Sequence, residues 1–587
     1  MTATQKLPNW NLSALYSSPE DQKIPQDISH LEQEVKGFNS KYKGKIKTLT
    51  SKELSACIKQ YDELNDLLGK LHSYSFLFYC TKVNDQVAQS FHQNTEEKIN
   101  ELTKDLIFFT LEINLIEESH LKELLNDESL KFYEPFIRDS RVWLPHQLSE
   151  NEESIIHEKN LSSRNAWVRL FDQTSAKIKF PFEGKELTAT EIFAKLSSSD
   201  AAVRKNAADS IGEVFQKNIE IFAFIHNTLI KDKELEENRR GFKQPIQSQN
   251  LSNLVEDEVV EALMKAVKAS YPELSHRYYR IKAKMLGMEK LNYWDRNAAL
   301  SNDEETPIAW NEAQRIVLDA YSGFSPKMAE VTEKFFANDW IDAEVKDGKM
   351  GGAFAHPTVP SAHPFVMLNY QGKKRDVMTL AHELGHGVHQ VLAGKQGCLI
   401  SRTPLTLAET ASVFGEMLTF RSLIASEKDE SKKKLMIASK VEDMLNTVVR
   451  QIAMCDFETK LHDARKAGEL SPEQIGNIWY ETQVASFGDS IALDDRYKNY
   501  WCYIPHFVHT PFYVYAYAFG DCLVNSLYSV YENKEVANFE DKYLEMLASG
   551  SRHRYRELLK PFNLDPSDPA FWQRGLKVIS GFIDMLE

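Results

Sequence analysis

Several features that define other classes of protein are missing from this 587-residue sequence. Its six cysteines are scattered and form no CxxC pair, which argues against a disulfide framework and against a cysteine-type zinc site. Its apolar stretches fall far short of the ~20 residues that a membrane-spanning helix needs. The first residues, MTATQKLPNWNL, lack the apolar core of a secretory signal. We therefore expect a soluble, cytoplasmic protein with no membrane partner.

Clustered positive charge is also missing. The chain has 70 Lys and Arg against 85 Asp and Glu, a formal charge of −15, so we expect no nucleic-acid partner. With 24 Gly and 20 Pro, it is neither collagen-like nor dominated by linkers. The hydrophobic share of 42% is that of a globular protein, and the length fits either several ordinary domains or one large unit.

Most of the chain has helical periodicity. Apolar residues recur every three or four positions in the segment 54–71, and no proline lies between Pro25 and Pro135, which predicts long antiparallel helices. Two segments differ. Residues 177–187 predict a β-hairpin that turns at Glu183-Gly184, and residues 364–370 are typical of a strand. The backbone of 364–370 either pairs with a peptide laid beside it or forms an ordinary sheet strand.

The most informative segment is His382-Glu383-Leu384-Gly385-His386, which has the HExxH arrangement of zinc hydrolases. Chance gives roughly 0.07 such matches in a chain of this composition. On a helix the two imidazoles share one face and can bind one ion, while Glu383 lies close enough to take a proton from water on that ion. Asp376 suits the N-cap of this helix. We predict a zinc site with His382 and His386 as ligands.

A third ligand is expected, because catalytic zinc sites usually have three protein ligands and an open position. Glu409 lies in an apolar segment where an unpaired carboxylate is costly, and a dication removes that cost. Glu416 is on the same helical face and either orients a ligand imidazole or forms a plain salt bridge. His389 lies too far along the helix to join the same ion, so we expect it to pack or to support a ligand.

These motifs together resemble a known family. HELGH, the LAETAS segment with its Glu 27 residues after the first His, and the approach GAFAHPTVPSAHPFVMLNYQGKKRDVMTLA resemble the M3 family of zinc oligopeptidases, in the branch of oligoendopeptidase F. Further landmarks span nearly the whole chain: Trp10-Asn-Leu-Ser-Ala-Leu-Tyr, Tyr293-Trp-Asp, and Ile504-Pro-His-Phe followed by Pro-Phe-Tyr-Val-Tyr-Ala-Tyr-Ala-Phe-Gly.

The resemblance implies a mainly α fold: an elongated, two-lobed helical peptidase that encloses a deep channel, with small β elements near the zinc. It implies an N-terminal helical lobe of the oligoendopeptidase F type over residues 1–190, ending in the β-hairpin, and an M3-like catalytic domain over 191–587. It carries His382, His386 and Glu409 over as ligands of one zinc ion, and Glu383 as the base. An active-site histidine is also implied, at either His506 or His509, and we place it at His506.

Six tyrosines lie between residues 497 and 517. Tyr513 and Tyr517 are four residues apart, so they face one way on a helix, and their protonated phenols can donate to an oxyanion. The alternative is aromatic packing of a core helix, which is the more natural interpretation of Tyr515.

The predicted function is a zinc endopeptidase that hydrolyses internal bonds of short unfolded peptides, with Glu383 activating a zinc-bound water. One alternative is a dipeptidyl carboxypeptidase of related helical architecture, which needs a cationic or multi-donor pocket that the sequence does not locate. A helical peptide-binding protein with structural zinc would need a fourth ligand, and an aminopeptidase would need an acidic anchor. The oligomeric state is left open.

Overall fold

The computed structural model describes residues 6–300 and 307–587, and of His157 and Leu405 only the backbone. Helices dominate, which confirms the mainly α prediction. In chain order they are α1 (Lys23–Tyr42), α2 (Ser51–Cys80), α3 (Gln86–Lys104), α4 (Ile107–Asn114), α5 (Glu118–Leu124), α6 (Glu128–Lys131), α7 (Glu134–Arg141), α8 (Glu150–Asn160), α9 (Arg164–Lys177), α10 (Ala189–Lys195), α11 (Ala201–Arg240), α12 (Gln247–Ser252) and α13 (Asp257–Ala269). They continue with α14 (Arg277–Met285), α15 (Trp310–Phe324), α16 (Pro326–Ala337), α17 (Lys374–Ala393), α18 (Leu405–Ser426), α19 (Glu430–Thr447), α20 (Val449–Lys466), α21 (Pro472–Phe487), α22 (His506–His509), α23 (Tyr515–Glu532), α24 (Phe539–Ala548), α25 (Tyr555–Leu559) and α26 (Pro569–Asp584).

The strands are short and form three small sheets. They are β1 (Phe180–Phe182), β2 (Lys185–Leu187), β3 (Leu291–Asn292), β4 (Ile341–Asp342), β5 (Phe354–His356), β6 (Phe365–Met367) and β7 (Ile491–Ala492). β1 pairs antiparallel with β2, and β3 pairs parallel with β7. The third sheet has the order β4-β6-β5, with β4 parallel and β5 antiparallel to β6.

The chain divides into two units, and each is assembled from three separate segments. The first contains the described residues of Met1–Gln147, Glu305–Ser426 and Val530–Asn563. The second contains those of Leu148–Glu304, Glu427–Ser529 and Leu564–Glu587. The predicted domain boundary at residue 190 lies inside the segment Leu148–Glu304 of the second unit. That boundary stays a prediction, because the two units group residues by contact rather than by continuous sequence.

The predicted periodicity of the N-terminal helices is confirmed in the first unit. Leu54, Cys57 and Ile58 of α2 are completely buried in a core that α1 and α4 also build. Beyond residue 104 the long helices give way to the short helices α4 to α7, although no proline interrupts the chain before Pro135. The absence of proline therefore permitted long helices here without producing them.

The β-hairpin is confirmed in its position and in its turn. Phe182 pairs with Lys185, and the two residues between them have positive φ values, 50° at Glu183 and 78° at Gly184. Two consecutive left-handed residues are what a tight two-residue hairpin requires, and glycine adopts that conformation without strain.

The cysteines agree with a further prediction. All six cysteines are free and buried, which confirms that they form no disulfide framework. Within the described ranges, every helix is too short or too polar to serve as a membrane span.

Candidate metal centre

Helix α17 holds the HExxH motif. Its buried apolar face includes Val377, Leu380 and Leu384, which repeat at helical spacing. The predicted N-cap was wrong, because the helix begins at Lys374 and its N-cap is Lys373. The Asp376 carboxylate instead accepts the backbone N–H groups of Gln371 at 2.8 Å and of Lys373 at 3.0 Å, so it stabilises the helix start from within the first turn.

Helix α18 approaches α17 closely at one glycine. A Cβ atom at Gly385 would lie 2.4 Å from the Ala411 carbonyl oxygen, so no larger residue fits there without moving the two helices apart. This crossing brings Glu409 to the two motif histidines. Glu409 Oε2 lies 3.3 Å from His382 Nε2 and 3.4 Å from His386 Nε2.

The three side chains form a candidate ligand set. Their ligand atoms all lie within 4.8 Å of one another, and together they are the only group of at least three His, Cys, Asp or Glu residues of this kind in the described part of the chain. Two imidazoles and a carboxylate are donors that zinc commonly takes in catalytic sites. The residues therefore fit a zinc ion in both chemistry and convergence.

The charges of the cluster favour a cation. Burial opposes a charge on His382, but its hydrogen bonds to the carboxylates of Glu409 and Glu416 outweigh burial and raise the pKa of His382 to about 10. Burial also opposes the Glu409 carboxylate, but the two imidazoles hold the pKa of Glu409 well below its ordinary value. The carboxylate thus stays ionised and supplies the negative charge that a dication needs.

Glu416 is the residue behind the first ligand. Its Oε2 lies 3.1 Å from His382 Nδ1, while His382 Nε2 points to Glu409. A hydrogen on Nδ1 that is donated to Glu416 leaves the Nε2 lone pair free to bind a metal. The contact fits both sequence hypotheses for Glu416, a partner that orients a ligand imidazole and a plain salt bridge, and the orienting role stays a prediction.

Glu383 is buried beside the candidate ligands but is not one of them, and its carboxylate contacts strand β5 instead. Burial raises the pKa of its carboxyl above the ordinary value, and the imidazoles of His382 and His386 partly offset the rise. The backbone N–H of Ala355 in β5 donates to the Glu383 carboxylate. The raised pKa makes this carboxylate a stronger base than an ordinary exposed glutamate.

Strand β5 is attached to α17 at a second point, which sequence reasoning missed. The Gln390 Nε2 donates to the Ala355 carbonyl oxygen at 3.2 Å. Gln390 is four residues after His386 and seven after Glu383, so the shared helical face was a signal that pointed to it.

The hypothesis that 364–370 pairs with a peptide is wrong. Its strand β6 lies in the middle of its sheet, with β4 on one side and β5 on the other, and all three β6 residues are buried. Both hydrogen-bonding edges of β6 are taken, so the alternative interpretation, an ordinary sheet strand, is the correct one.

His389 is buried and is not a member of the candidate ligand set. Its Nε2 lies 3.4 Å from the Thr403 hydroxyl, and burial lowers its pKa to about 4, which keeps the ring neutral. The ring also hydrogen-bonds to the backbone of Ala408, next to Glu409, so both predicted roles, packing and support of a ligand, stay predictions.

The second unit contains the predicted histidine and tyrosines. His506 Nε2 lies 3.3 Å from the Tyr517 hydroxyl, and the ring centroids of Tyr513 and Tyr517 are 5.0 Å apart. His509 is separate, with its Nε2 2.7 Å from Asp172. The structure thus groups His506, and not His509, with the two tyrosines.

The expected helical relation between these tyrosines is wrong in one respect. Tyr513 precedes helix α23, which begins at Tyr515, so the pair is formed by a turn and a helix. Tyr515 is fully buried, and its hydroxyl accepts a 2.8 Å hydrogen bond from Asn253 Nδ2, which matches its interpretation as a packing residue.

A buried carboxylate next to this group was also missed. Glu458 Oε1 accepts the backbone N–H of Phe512 at 2.8 Å, and Phe512 has a φ of 63°. A left-handed phenylalanine is uncommon, and no sequence pattern announces it.

A mainly helical fold that holds an HExxH helix and a His-His-Glu cluster is typical of helical metallopeptidases. A family model described as "Peptidase family M3" matches residues 194–578, and one described as "Oligopeptidase F" matches residues 112–180. The chain belongs to peptidase family M3, as the motifs predicted, and it is therefore a metallopeptidase. A catalytic metal follows from the family.

Known relatives match over most of their length. Oligopeptidase PepF of Bacillus subtilis is 26% identical over 594 residues, which cover 98% of this chain and 86% of the relative. Group B oligopeptidase PepB of Streptococcus agalactiae is 26% identical over 526 residues, 87% of this chain and 86% of the relative. The crystal structure of oligoendopeptidase-F from Enterococcus faecium has the same fold, with a TM-score of 0.73 at 20% identity, covering 96% of this chain and 98% of that one.

Proposed function

We propose that this metallopeptidase uses one zinc ion per chain to hydrolyse internal bonds of short, unfolded peptides. The observation that carries the proposal is the convergence of His382, His386 and Glu409, with the Glu383 carboxyl buried beside them. The names of its relatives, oligopeptidase and oligoendopeptidase, agree with short peptides as substrates.

His382, His386 and Glu409 would hold the zinc. Zinc at such a site supplies Lewis acidity, which makes water a competent nucleophile near neutral pH and polarises the carbonyl group under attack. Glu416 keeps the His382 ring in the orientation that presents Nε2.

Glu383 would move the protons. Its carboxylate takes a proton from the attacking water and then passes it to the nitrogen of the leaving amine. The raised pKa of Glu383, caused mainly by burial, brings its proton affinity closer to that of a water activated near neutrality. The Ala355 N–H holds the carboxylate in place between the two transfers.

The test of this assignment is Glu383→Gln. Glutamine keeps the shape and accepts the Ala355 hydrogen bond, but it cannot take a proton. We expect kcat to fall by at least about a hundredfold, the low end of a general-base contribution, while bound zinc stays at one per chain. Zinc is counted by elemental analysis, and turnover is followed by mass spectrometry of a peptide mixture. Glu333→Gln, an exposed residue of α16, is the matched control. Undiminished turnover in Glu383→Gln would refute the mechanism.

We further propose, on the family resemblance, that Tyr513 and Tyr517 donate hydrogen bonds to the oxyanion and that His506 is the active-site histidine. Their mutual contacts within the second unit support a joint role.

Phenylalanine substitutions test this role. Tyr517→Phe should lower kcat by about a hundredfold with little change in KM, because an oxyanion donor acts in the transition state. Tyr515→Phe is the control, since it removes only the hydrogen bond to Asn253 and should lower stability without lowering kcat. An equal loss of kcat in both variants would show that the effect is structural.

The cytoplasmic location is part of the proposal. Six free, buried cysteines support it, because such thiols suit a reducing compartment.

A further inference from the structure

A cavity of about 750 Å³ lies in the first unit and reaches the candidate metal site. His386, one of the three ligands, forms part of its wall, together with Gln390 of α17. Helix α2 and the segment 357–364 supply other parts of the wall. A peptide whose scissile bond lies at the metal would therefore place residues from one side of that bond in this cavity.

The Lys, Arg, Asp and Glu side chains that line this cavity are all basic, although Asp62 and Asp66 lie close behind one lining residue, Cys398. Lys334, Lys395 and Arg402 line it, and the described lining includes no Asp and no Glu. The chain as a whole has more acidic than basic residues, 85 against 70, so a wall with three cations and no acid differs from its average surface. The three cations come from different elements: α16, the turn after α17, and the segment before α18.

These cations have few competing partners. Lys334 has one long ion pair, 3.7 Å from Glu330, and its side chain is exposed. Over the described ranges no salt bridge is seen for Lys395, and Arg402 contacts the Cys398 thiol rather than a carboxylate. Asp62 and Asp66 act on the same Cys398 thiol and offset part of the Arg402 charge, whereas the charges of Lys334 and Lys395 are available to a ligand that enters the cavity.

We propose that this cavity is a substrate subsite that binds a peptide carboxylate, with Lys334, Lys395 and Arg402 supplying the positive charge. The inference rests on the proposed function, because it needs a peptide bond placed at His386. The carboxylate belongs either to an acidic side chain or to the free C-terminus of the peptide. The second source is the one that a dipeptidyl carboxypeptidase would use.

The expected size of the effect follows from exposed ion pairs. Each such pair changes an equilibrium by up to about fivefold, so Arg402→Gln should raise KM for an acidic peptide by about threefold. Replacing all three cations by glutamine should raise KM for the acidic peptide by about tenfold or more. Salt screens exposed charges, so the preference for an acidic peptide over its neutral counterpart should shrink between 50 and 500 mM NaCl.

The experiment compares matched peptides on the wild-type chain and on the three glutamine variants, singly and combined. One set replaces Glu by Gln at each position on both sides of the cleavage site, and a second set compares free with amidated C-termini. Lys327→Gln is the control, because Lys327 lies on the same helix α16 but does not line the cavity. Binding without turnover is measured by fluorescence anisotropy of labelled peptides on the Glu383→Gln chain.

The outcomes separate the possibilities. A preference for Glu over Gln on one side of the bond that the triple variant abolishes supports a side-chain carboxylate. A preference for the free over the amidated terminus that the triple variant abolishes supports a terminal carboxylate. If neither preference exists, if it survives in the triple variant, or if Lys327→Gln removes it equally, the inference is wrong. If the wild-type chain cleaves no peptide, the proposed function has failed, and the anisotropy measurement still decides the subsite.

Discussion

At the scale of single residues, the contact between Glu416 and His382 is predicted to decide how the His382 ring faces a metal ion. The two ring nitrogens of His382 face different carboxylates, Glu416 at Nδ1 and Glu409 at Nε2. Without Glu416, the ring loses the partner that selects its tautomer and orientation. On this prediction, the three candidate ligands alone do not fix the orientation of the His382 ring.

Glu416→Ala should weaken zinc binding by about 10- to 100-fold, the usual cost of losing a partner behind a ligand histidine. Competition with a chromophoric chelator measures the affinity. Glu416→Gln should fall between alanine and wild type, because its amide oxygen still accepts the Nδ1 hydrogen. Glu333→Ala serves as the control on an exposed site. Wild-type affinity in Glu416→Ala would contradict the orienting role.

At the scale of elements, the crossing of α17 and α18 assembles the ligand set. The histidines and Glu409 lie on separate helices, and Gly385 permits the helices to approach until the Ala411 backbone takes the place of a side chain. The glycine inside the HExxH motif thus has a packing function that is separate from the chemistry of its neighbours.

Gly385→Ala should separate the two helices and displace Glu409 from the histidines. We expect a loss of zinc affinity of at least about tenfold, together with a lower melting temperature, because overpacking a core contact costs about 1–3 kcal/mol. Gly323→Ala is the matched control, since a Cβ atom there meets nothing within 4 Å inside α15. That control should be neutral or slightly stabilising. Unchanged zinc affinity in Gly385→Ala would show that the close approach is not needed.

A second element-scale feature is the turn that Glu458 supports before Tyr513. Burial raises the pKa of Glu458 to about 8, although the Phe512 N–H and the charge of Lys233 lower it in part. The neighbouring His462 stays neutral over this range, because burial lowers its pKa to about 3. Glu458 is therefore protonated in the folded chain at neutral pH.

This predicts a pH-dependent stability. In the unfolded chain Glu458 has its ordinary pKa near 4.5, so between that value and about 8 the folded state binds one more proton, and its stability falls as pH rises. The fall contributed by this group is about 1.4 kcal/mol per pH unit. Glu458→Gln removes it, so the melting temperature of the variant should rise relative to wild type from pH 5 to pH 8. Glu469→Gln, on an exposed site, should show no such trend. A constant difference between Glu458→Gln and wild type across this range would contradict the raised pKa.

At the scale of the whole molecule, the metal is expected to stabilise the native state. A ligand that binds only the folded chain stabilises it by about 4 kcal/mol when present at a thousand times its dissociation constant. The unfolded chain cannot bring ligands from α17 and α18 together at one point, so little of this effect is lost to the unfolded state.

Removal of zinc by a chelator should lower the melting temperature of the wild-type chain by several degrees, and added zinc should restore it. Glu383→Gln should show the same shift, since Glu383 is not a ligand, whereas His386→Ala should show almost none. Differential scanning calorimetry measures all three. A full shift in His386→Ala would exclude this histidine from the ligand set.

Some of the fold was predictable because its causes are local. The hairpin at 180–187 was predicted with its turn, since strand propensity and an αL-compatible Gly184 lie within a few residues. The pairing of β6 was not predicted, because its partner strands β4 and β5 come from other segments of the chain. The choice between His506 and His509 was left open for the same reason: it depends on Asp172 of α9, which binds His509.

The sequence by itself determined the chemistry of the candidate site. The spacing of His382 and His386 and the nature of Glu409 are properties of helical repeat and side-chain type, which need no tertiary information. Only the tertiary structure decided that Glu409 reaches both imidazoles, that Glu416 faces His382, and that three cations and His386 line one cavity. The physical reason is that helix geometry is set by local hydrogen bonds, whereas convergence is set by packing between elements that are distant in the chain.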